Sequence, residues 1–451
     1  MKTKLLLVFT FFAIISMQSQ ISFQSNLVTT EADGANSVFA ADLDGDGLVD
    51  VLSASLTDNK IAWYKNNGEG NFGAQQVIST NVVKPWTVYA KDLNNDGYID
   101  VLSASYEDDK IAWYQNDGNG NFSSQKIIST NADSAYDVFA ADLDNDGHND
   151  ILSASRLDNK IAWYKNSGNA TFGSEIIISS TAGAPVAVYA ADLDKDGNMD
   201  VLSASFNDHI SWYKNNGNGT FSKEQILSST LDVATDVTAA DLDNDGDLDV
   251  VGTSSGHNKI VWFKNNGNGN FSSEKLITSK AYQVNSIFAA DVDSDGDLDV
   301  LSSTYEDNKI AWYKNTNGAG DFGEQIVITS TEVAAYCVFA TDIDNDGDTD
   351  VLSASRHYDR IKLFKNVTPL GVYQIKTIDF NVFPNPVKDN IYISTQEKFS
   401  FLLTNLNGKI LTKGEFKVGK NNINVSNYAK GIYFLKVTNS EKTVIKKIII
   451  H

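Results

Sequence analysis

Cysteine is nearly absent from this sequence of 451 residues: Cys337 stands alone, so no disulfide can form within the chain. A chain of this size without cross-links must find its rigidity elsewhere. Basic residues are few, 36 against 58 acidic ones, for a formal net charge of −22. A deficit of that sign disfavours nucleic acid and anionic membranes as partners, since both recruit Lys and Arg. Long apolar runs are missing too. Only Leu5 to Ile15 forms one, short of the roughly 20 residues that span a bilayer, so an integral membrane protein is not expected. No helical period runs through the body of the chain, which excludes a helical solenoid.

What the chain does have is a nonapeptide, D-x-D/N-x-D-G-x-x-D, that occurs seven times. The copies begin at Asp42, Asp92, Asp142, Asp192, Asp241, Asp291 and Asp342, spaced by 50, 50, 50, 49, 50 and 51 residues. Oxygens at positions 1, 3, 5 and 9 converge only if the backbone wraps tightly, and the glycine at position 6 permits that wrap through a positive φ. Crowded carboxylates repel one another unless a cation offsets them. Six to eight hard oxygens are what Ca²⁺ selects. The expected ligands are therefore Asp42, Asp44, Asp46 and Asp50 in loop one, and Asp92, Asn94, Asp96 and Asp100 in loop two. Asp142, Asp144, Asp146 and Asp150 follow in loop three, and Asp192, Asp194, Asp196 and Asp200 in loop four. Asp241, Asp243, Asp245 and Asp249 serve loop five, Asp291, Asp293, Asp295 and Asp299 loop six, and Asp342, Asp344, Asp346 and Asp350 loop seven. Up to seven calcium ions are expected. These are not EF-hands, because position 12 of the first copy is Ser53 and not a bidentate Glu. Asn94 removes one charge from loop two, which is expected to weaken it.

The charge is uneven. Residues 373–451 carry +7 and residues 1–20 carry +2, which leaves −31 on residues 21–372. Twenty-seven of those acids are loop ligands, so the acidity is mostly metal-site chemistry. Residues 1–20 combine Lys2 and Lys4 with the apolar run and then Ser16-Met17-Gln18-Ser19-Gln20, the pattern of a Sec signal peptide.

Between loops each repeat uses the same parts. Ser37-Val38-Phe39-Ala40-Ala41 precedes the first loop; Val51 to Ser55, Lys60 to Asn66 and Gln76 to Ser79 follow it. Short β-branched and aromatic runs separated by Asn/Gly turns read as strands and hairpins. Four strands in about 50 residues make one blade of a β-propeller. The aromatic strand occurs seven times, with Trp63, Trp113, Trp163, Trp212, Trp262, Trp312 and a degenerate Leu363, and the tryptophans are expected between blades. The outer-strand copy at Phe23 precedes the first loop and none follows Leu363, so residues 22–30 are expected to complete blade seven. The fold class is all-β: a seven-bladed propeller over residues 21–366, then a small C-terminal β-sandwich.

The repeats resemble the FG-GAP/VCBS repeats of integrin-α-type propellers. Phe72-Gly73, Phe172-Gly173 and Phe322-Gly323 are the FG pairs, and the aspartate loops match that family's calcium sites. After a linker over 367–377, residues 378–451 resemble the C-terminal (Por) sorting domain of the type IX secretion system of Bacteroidota. Val382-Phe383-Pro384-Asn385-Pro386, Leu406-Asn407-Gly408-Lys409, Lys430-Gly431-Ile432-Tyr433-Phe434 and Lys446-Lys447-Ile448-Ile449 carry that resemblance. It implies the secretion machinery as a partner, and a product that is secreted or attached to the outer surface.

The first family implies adhesion, glycan binding or, less often, polysaccharide cleavage. Uniform positions build the ring, so a ligand is expected where the repeats differ, on the face away from the loops. One such position, placed in the connection between blades, reads Asn36, Trp86, Tyr136, Val186, Thr235, Asn285, Tyr336. A second, opening the turn between strands B and C, reads Leu56, Tyr106, Arg156, Phe206, Ser255, Tyr305, Arg356. Exposed aromatics beside arginine suit sugar stacking and hydrogen bonding, so Trp86, Tyr106, Tyr136, Arg156, Phe206, Tyr305, Tyr336, Arg356 and His357 form the expected ligand face. The leading reading is a monomeric, non-catalytic calcium-binding module for a glycan or a cell-surface protein. A polysaccharide lyase or hydrolase is the alternative, because His209, His257, His357 and Tyr358 fall on the same face. A structural surface scaffold is the third.

Overall fold

The computed structural model describes residues 21–367, 381–395, 398–405, 409–438 and 443–451. The expected signal peptide and nearly all of the expected linker lie outside these residues. Every described regular element is a strand, and they fall into two compact units.

The larger unit, Gln20–Thr368, holds seven four-stranded antiparallel sheets, the blades of a propeller. In blade one, strand A is Ala35–Ala41, B Asp50–Ser55, C Lys60–Tyr64 and D Gln76–Ser79. Strand B is buried at all six positions, as expected of a strand with a blade on either side. The core lies between neighbouring blades. Leu52, Ile61 and Trp63 of blade one, for instance, pack with Val88, Val101 and Tyr114 of blade two. The tryptophans belong to these seams: Trp163 and Trp262 are each 1% exposed. Gly269 makes room for one of them, since a Cβ there would lie 2.0 Å from the Trp212 ring.

Blade seven is assembled from both ends of the unit. Strands Ala335–Thr341, Asp350–Ser355 and Arg360–Asn366 are completed by Phe23–Thr29, in register Phe23↔Asn366 and Gln24↔Lys365. No blade is left with an unpaired C strand, a common exposure in open sheets.

Strand A carries a feature that was not legible in advance. Its pairing with B slips by one residue at the second position in six blades, as between Ala35 and Ser37. The bulged residues are Asn36, Trp86, Tyr136, Val186, Asn285 and Tyr336. A bulge re-aims side chains, and here it directs two successive residues into the axial cavity. The position assigned to the connection between blades is therefore part of the inner strand.

The smaller unit pairs a three-stranded sheet, Asn381–Phe383, Asn390–Thr395 and Gly419–Asn424, with a four-stranded one. The latter is ordered Ile410–Phe416, Phe399–Asn405, Gly431–Thr438, Thr443–Ile450. Ile391, Ile393, Leu403, Leu435 and Ile448 lie in their shared core. Asn385 fastens the Pro-Asn-Pro turn to the last strand, donating to Lys447 O at 2.7 Å and accepting from Ile449 N at 2.9 Å.

Candidate functional site

The aspartate loops join strands A and B. Position 6 glycines take positive φ in all seven, from Gly147 at 85° to Gly347 at 95°. Position 4 does the same, at Gly45, Asn95, Asn145, Lys195, Asn244, Ser294 and Asn345. The prevalence of Gly and Asn there was the signal for this second left-handed residue. With both turns made, one oxygen of the position 1 carboxylate accepts the position 6 N–H at 2.8–3.0 Å in every loop. Oxygens of Asp142, Asp144 and Asp146 come within 4.8 Å of one another, as do those of the equivalent trios in loops four to six. Loop one brings Asp42, Asp44 and Asp50 together in the same way.

Position 9 is different in kind. Asp50, fully buried, accepts from Leu43 N at 3.0 Å and from Asn66 N at 2.7 Å. Burial pushes its carboxyl up to about 6 and that of Asp150 up to about 7, against the lowering pull of those N–H donors. The same geometry recurs in all seven repeats. It exposes a residue overlooked in the sequence, the asparagine that follows strand C. The Asn66 amide donates to Val49 O at 3.0 Å and, across the blade boundary, to Ile343 O at 2.8 Å. Asn116, Asn166, Asn215, Asn265, Asn315 and Asn366 reach the preceding blade's loop likewise, at 2.6–2.8 Å. Each loop is thus clamped by its neighbour in a closed circle.

A second overlooked residue is the lysine just before that asparagine. Lys65 pairs with Asp44 and, at 2.8 Å, with Asp46; Lys165, Lys214, Lys264 and Lys314 pair with the same two positions of their loops. Lys365 reaches Asp344 at 2.6 Å. Loop two has Gln115 there. Four carboxylates and one lysine sum to −3, and so do the three carboxylates of loop two without a lysine. The expected charge deficit at Asn94 is thereby cancelled, and with it the argument for weaker binding.

Do these residues fit a hard cation? The oxygens that lysine and backbone leave over are informative. Oδ1 of Asp44, Asp144, Asp243, Asp293 and Asp344, and Oδ1 of Asp92 and Asp241, are buried with no hydrogen-bond partner among the described residues. Orphan acceptors of this kind are costly in a folded protein unless something fills the point they face. Negative oxygens converging without donors fit Ca²⁺.

On the opposite face the B–C turns meet the starts of the A strands: Tyr106 N donates to Lys84 O and Arg156 N to Ser134 O. The residues expected to form the ligand face do gather here, though as a packed cluster and not as separate exposed rings. Trp86 lies 4.2 Å from Tyr136, 5.5 Å from Tyr106 and 5.6 Å from Tyr336 between ring centroids. Arg156 stands over Phe206 at 4.1 Å and Arg356 over Tyr336 at 5.3 Å. Tyr136 is buried; Trp86, Tyr106, Phe206, Tyr305 and Tyr336 are partly exposed, and of the expected set His357 alone is fully so. For Trp86, Tyr136 and Tyr336 the bulge in strand A is the cause, since it turns those side chains toward the axial cavity. Beside the cluster, Tyr305 Oη and His357 Nε2 are 3.3 Å apart.

Two family models match the chain. FG-GAP-like repeats match at residues 42–103, 92–153, 142–203, 192–252, 241–302 and 296–353, and a secretion system C-terminal sorting domain at 381–451. No curated protein matches the sequence significantly. Among solved structures, a virginiamycin B lyase from Staphylococcus aureus is similar at 15% identity and TM-score 0.53, covering 77% of this chain and all of its own. An Agrocybe aegerita lectin, described as recognising non-reducing terminal N-acetylglucosamine, is 22% identical with TM-score 0.49. That match covers 65% of this chain and 80% of the lectin. At such identities the likeness speaks to fold alone.

Proposed function

Because this chain belongs to the FG-GAP-like repeat family and ends in a type IX sorting domain, we propose that it is an outer-surface or released calcium-binding propeller whose loop-free face holds a glycan. The sorting domain makes the secretion machinery a partner and puts the product outside the cell. In each loop the carboxylates at positions 1, 3, 5 and 9 (Asn94 in loop two) would hold the ion, which supplies charge balance and pins the A–B corner. Calcium is structural in this reading.

The observation that carries the ligand reading is the asymmetry of the opposite face. Blades two, three, six and seven bring Trp86, Tyr106, Tyr136, Tyr305 and Tyr336 to one side of the axis, with Arg156 and Arg356 stacked among them. Ring planes held by their neighbours offer a rigid stacking surface, and the guanidinium edges offer donors to hydroxyl or carboxylate groups. A glycan array with the exported protein in millimolar Ca²⁺ tests this. Binding that falls about 30-fold in Trp86→Ala, the loss of a typical hot-spot residue, is the expected result. Binding unchanged by Trp86→Ala and Arg356→Ala removes the site. The Tyr305–His357 pair favours polysaccharide cleavage as a second reading, and release of oligosaccharide with an unsaturated end would establish it.

A further inference from the structure

The axis of the propeller holds chemistry that neither the loops nor the aromatic face uses. Two residues below the bulge-flanking position, strand A contributes Phe39, Tyr89, Phe139, Tyr189, Phe288 and Phe339 in six blades. Their rings form a collar: successive centroids from Phe288 through Phe339, Phe39, Tyr89 and Phe139 to Tyr189 are 4.7–4.9 Å apart. Blade five breaks it, because the equivalent residue is Thr238. Blade five is also the one whose A strand is cut short to Val237–Ala240; Thr253 Oγ1 accepts from Thr235 N and Asp236 N at 3.0 and 2.8 Å. A cavity of about 510 Å³ runs through the collar to Ala240, Asp241 and Leu248 beside the blade-five loop.

Above the collar the cavity meets a second one, of about 140 Å³, beneath the Trp86 cluster. Two carboxylates stand where they join, Asp137 and Asp236, with the hydroxyls of Ser37, Thr87 and Ser286 around them. They are not saturated as metal ligands would be. Asp137 Oδ2 accepts from Val188 N at 2.9 Å, and the two oxygens of Asp236 accept from Val237 N and Ile287 N at 2.8 Å. Among the described residues no lysine or arginine lines either cavity. A separate residue points the same way. Asn36 is 3% exposed and lines the upper cavity; its Nδ2 donates to Trp86 O, while its Oδ1 has no partner among the described residues. Carboxyl and amide acceptors thus sit at one end of a passage whose wall is aromatic.

We infer that the axial channel binds a small organic cation, an alkylammonium whose N–H groups meet Asp137, Asp236 and Asn36 Oδ1 while its chain lies in the aromatic collar, entering beside Thr238. An ammonium needs three acceptors and gains from ring faces within about 6 Å. Ca²⁺ needs six to eight oxygens, which a wall of rings does not supply. The volume falls in the range of ligand pockets.

The test uses the full exported chain in millimolar Ca²⁺, so that the loops are already saturated. Binding of n-butylammonium is measured by calorimetry and saturation-transfer NMR beside 1-butanol and butyrate. Saturable 1:1 binding of the ammonium, at least about tenfold tighter than the alcohol, is expected from the charge-assisted hydrogen bonds. Asp137→Asn should remove that preference. Thr238→Phe, which restores the ring found in the other blades and leaves the carboxylates alone, should abolish or greatly slow binding; it also guards against misfolding of the first variant. Equal binding of alcohol and ammonium, binding untouched by Thr238→Phe, displacement by further Ca²⁺, or no binding of any probe overturns the proposal. The glycan reading stands or falls separately, on the Trp86 face.

Discussion

Removing calcium should be the severest mild perturbation of this propeller. Sites of the extracellular kind bind at about 10⁻⁴–10⁻³ M. At about 10 mM free Ca²⁺ each filled loop then adds roughly 1.4–2.7 kcal/mol by linkage. Seven loops together contribute about 10–19 kcal/mol. Unfolding entropy is about 2.1 cal/mol/K per residue, hence about 0.7 kcal/mol/K for the roughly 350 residues of the larger unit. The melting midpoint should fall by about 14–26 °C between Ca²⁺ and chelator, read by scanning calorimetry with Mg²⁺ as control. The pH dependence adds a second arm. Burial raises the position 9 carboxyls from an ordinary 3.8 to about 6 at Asp50 and Asp100 and about 7 at Asp150, Asp200, Asp249, Asp299 and Asp350. A raised carboxyl favours the protonated folded state, so this contribution is complete below about pH 4 and is lost as pH rises through 6–7. In chelator, therefore, stability should fall as pH rises from about 4 to about 7. Bound calcium would hold the same groups ionised, so the gap between the two melting curves should widen over that window. A shift under about 3 °C, or a gap that narrows with rising pH, would refute the reasoning.

Two other outcomes follow from the loops. Asn166→Ala removes amide donors to Leu93 O and Asn149 O and leaves two carbonyls short of partners. It should cost about 2–5 kcal/mol, a melting shift of roughly 3–7 °C; a change under 0.5 kcal/mol on the order of measurement error would show that the circle of clamps is idle. Loop two should bind Ca²⁺ within a few-fold of its neighbours, because Gln115 cancels the effect of Asn94. Gln115→Lys should weaken that one loop about tenfold through an unmatched positive charge, seen as a distinct weak step in calorimetric titration. A wild-type loop two already tenfold weaker than the rest would contradict the charge argument.

Repetition is what made the architecture legible. Seven copies of the aspartate nonapeptide, seven C strands and one outer strand displaced to Phe23 are counts along a line, and counting decided both blade number and closure. The conformation of the loops was legible for a similar reason, since Gly at position 6 is a local requirement of the backbone. Invariance concealed as much as it revealed. Asn66 and its six equivalents stand in plain view in every repeat, but their work is to bind the loop of the adjacent blade, and a contact across 72–74 or, at the seam, 277 residues has no local signature. Lys65 and Gln115 read as surface residues until the C strand is laid beside the loop. The aromatic face depended on still less local facts. A one-residue slip in strand A decides whether Trp86 or Tyr136 points outward or toward the axis, and the slip comes from pairing with strand B within a closed ring. Sequence by itself determined the parts, their number and the turn conformation of the loops. Only the tertiary structure decided which side chains share the axis, because ring closure, and not any local preference, brings seven A strands together.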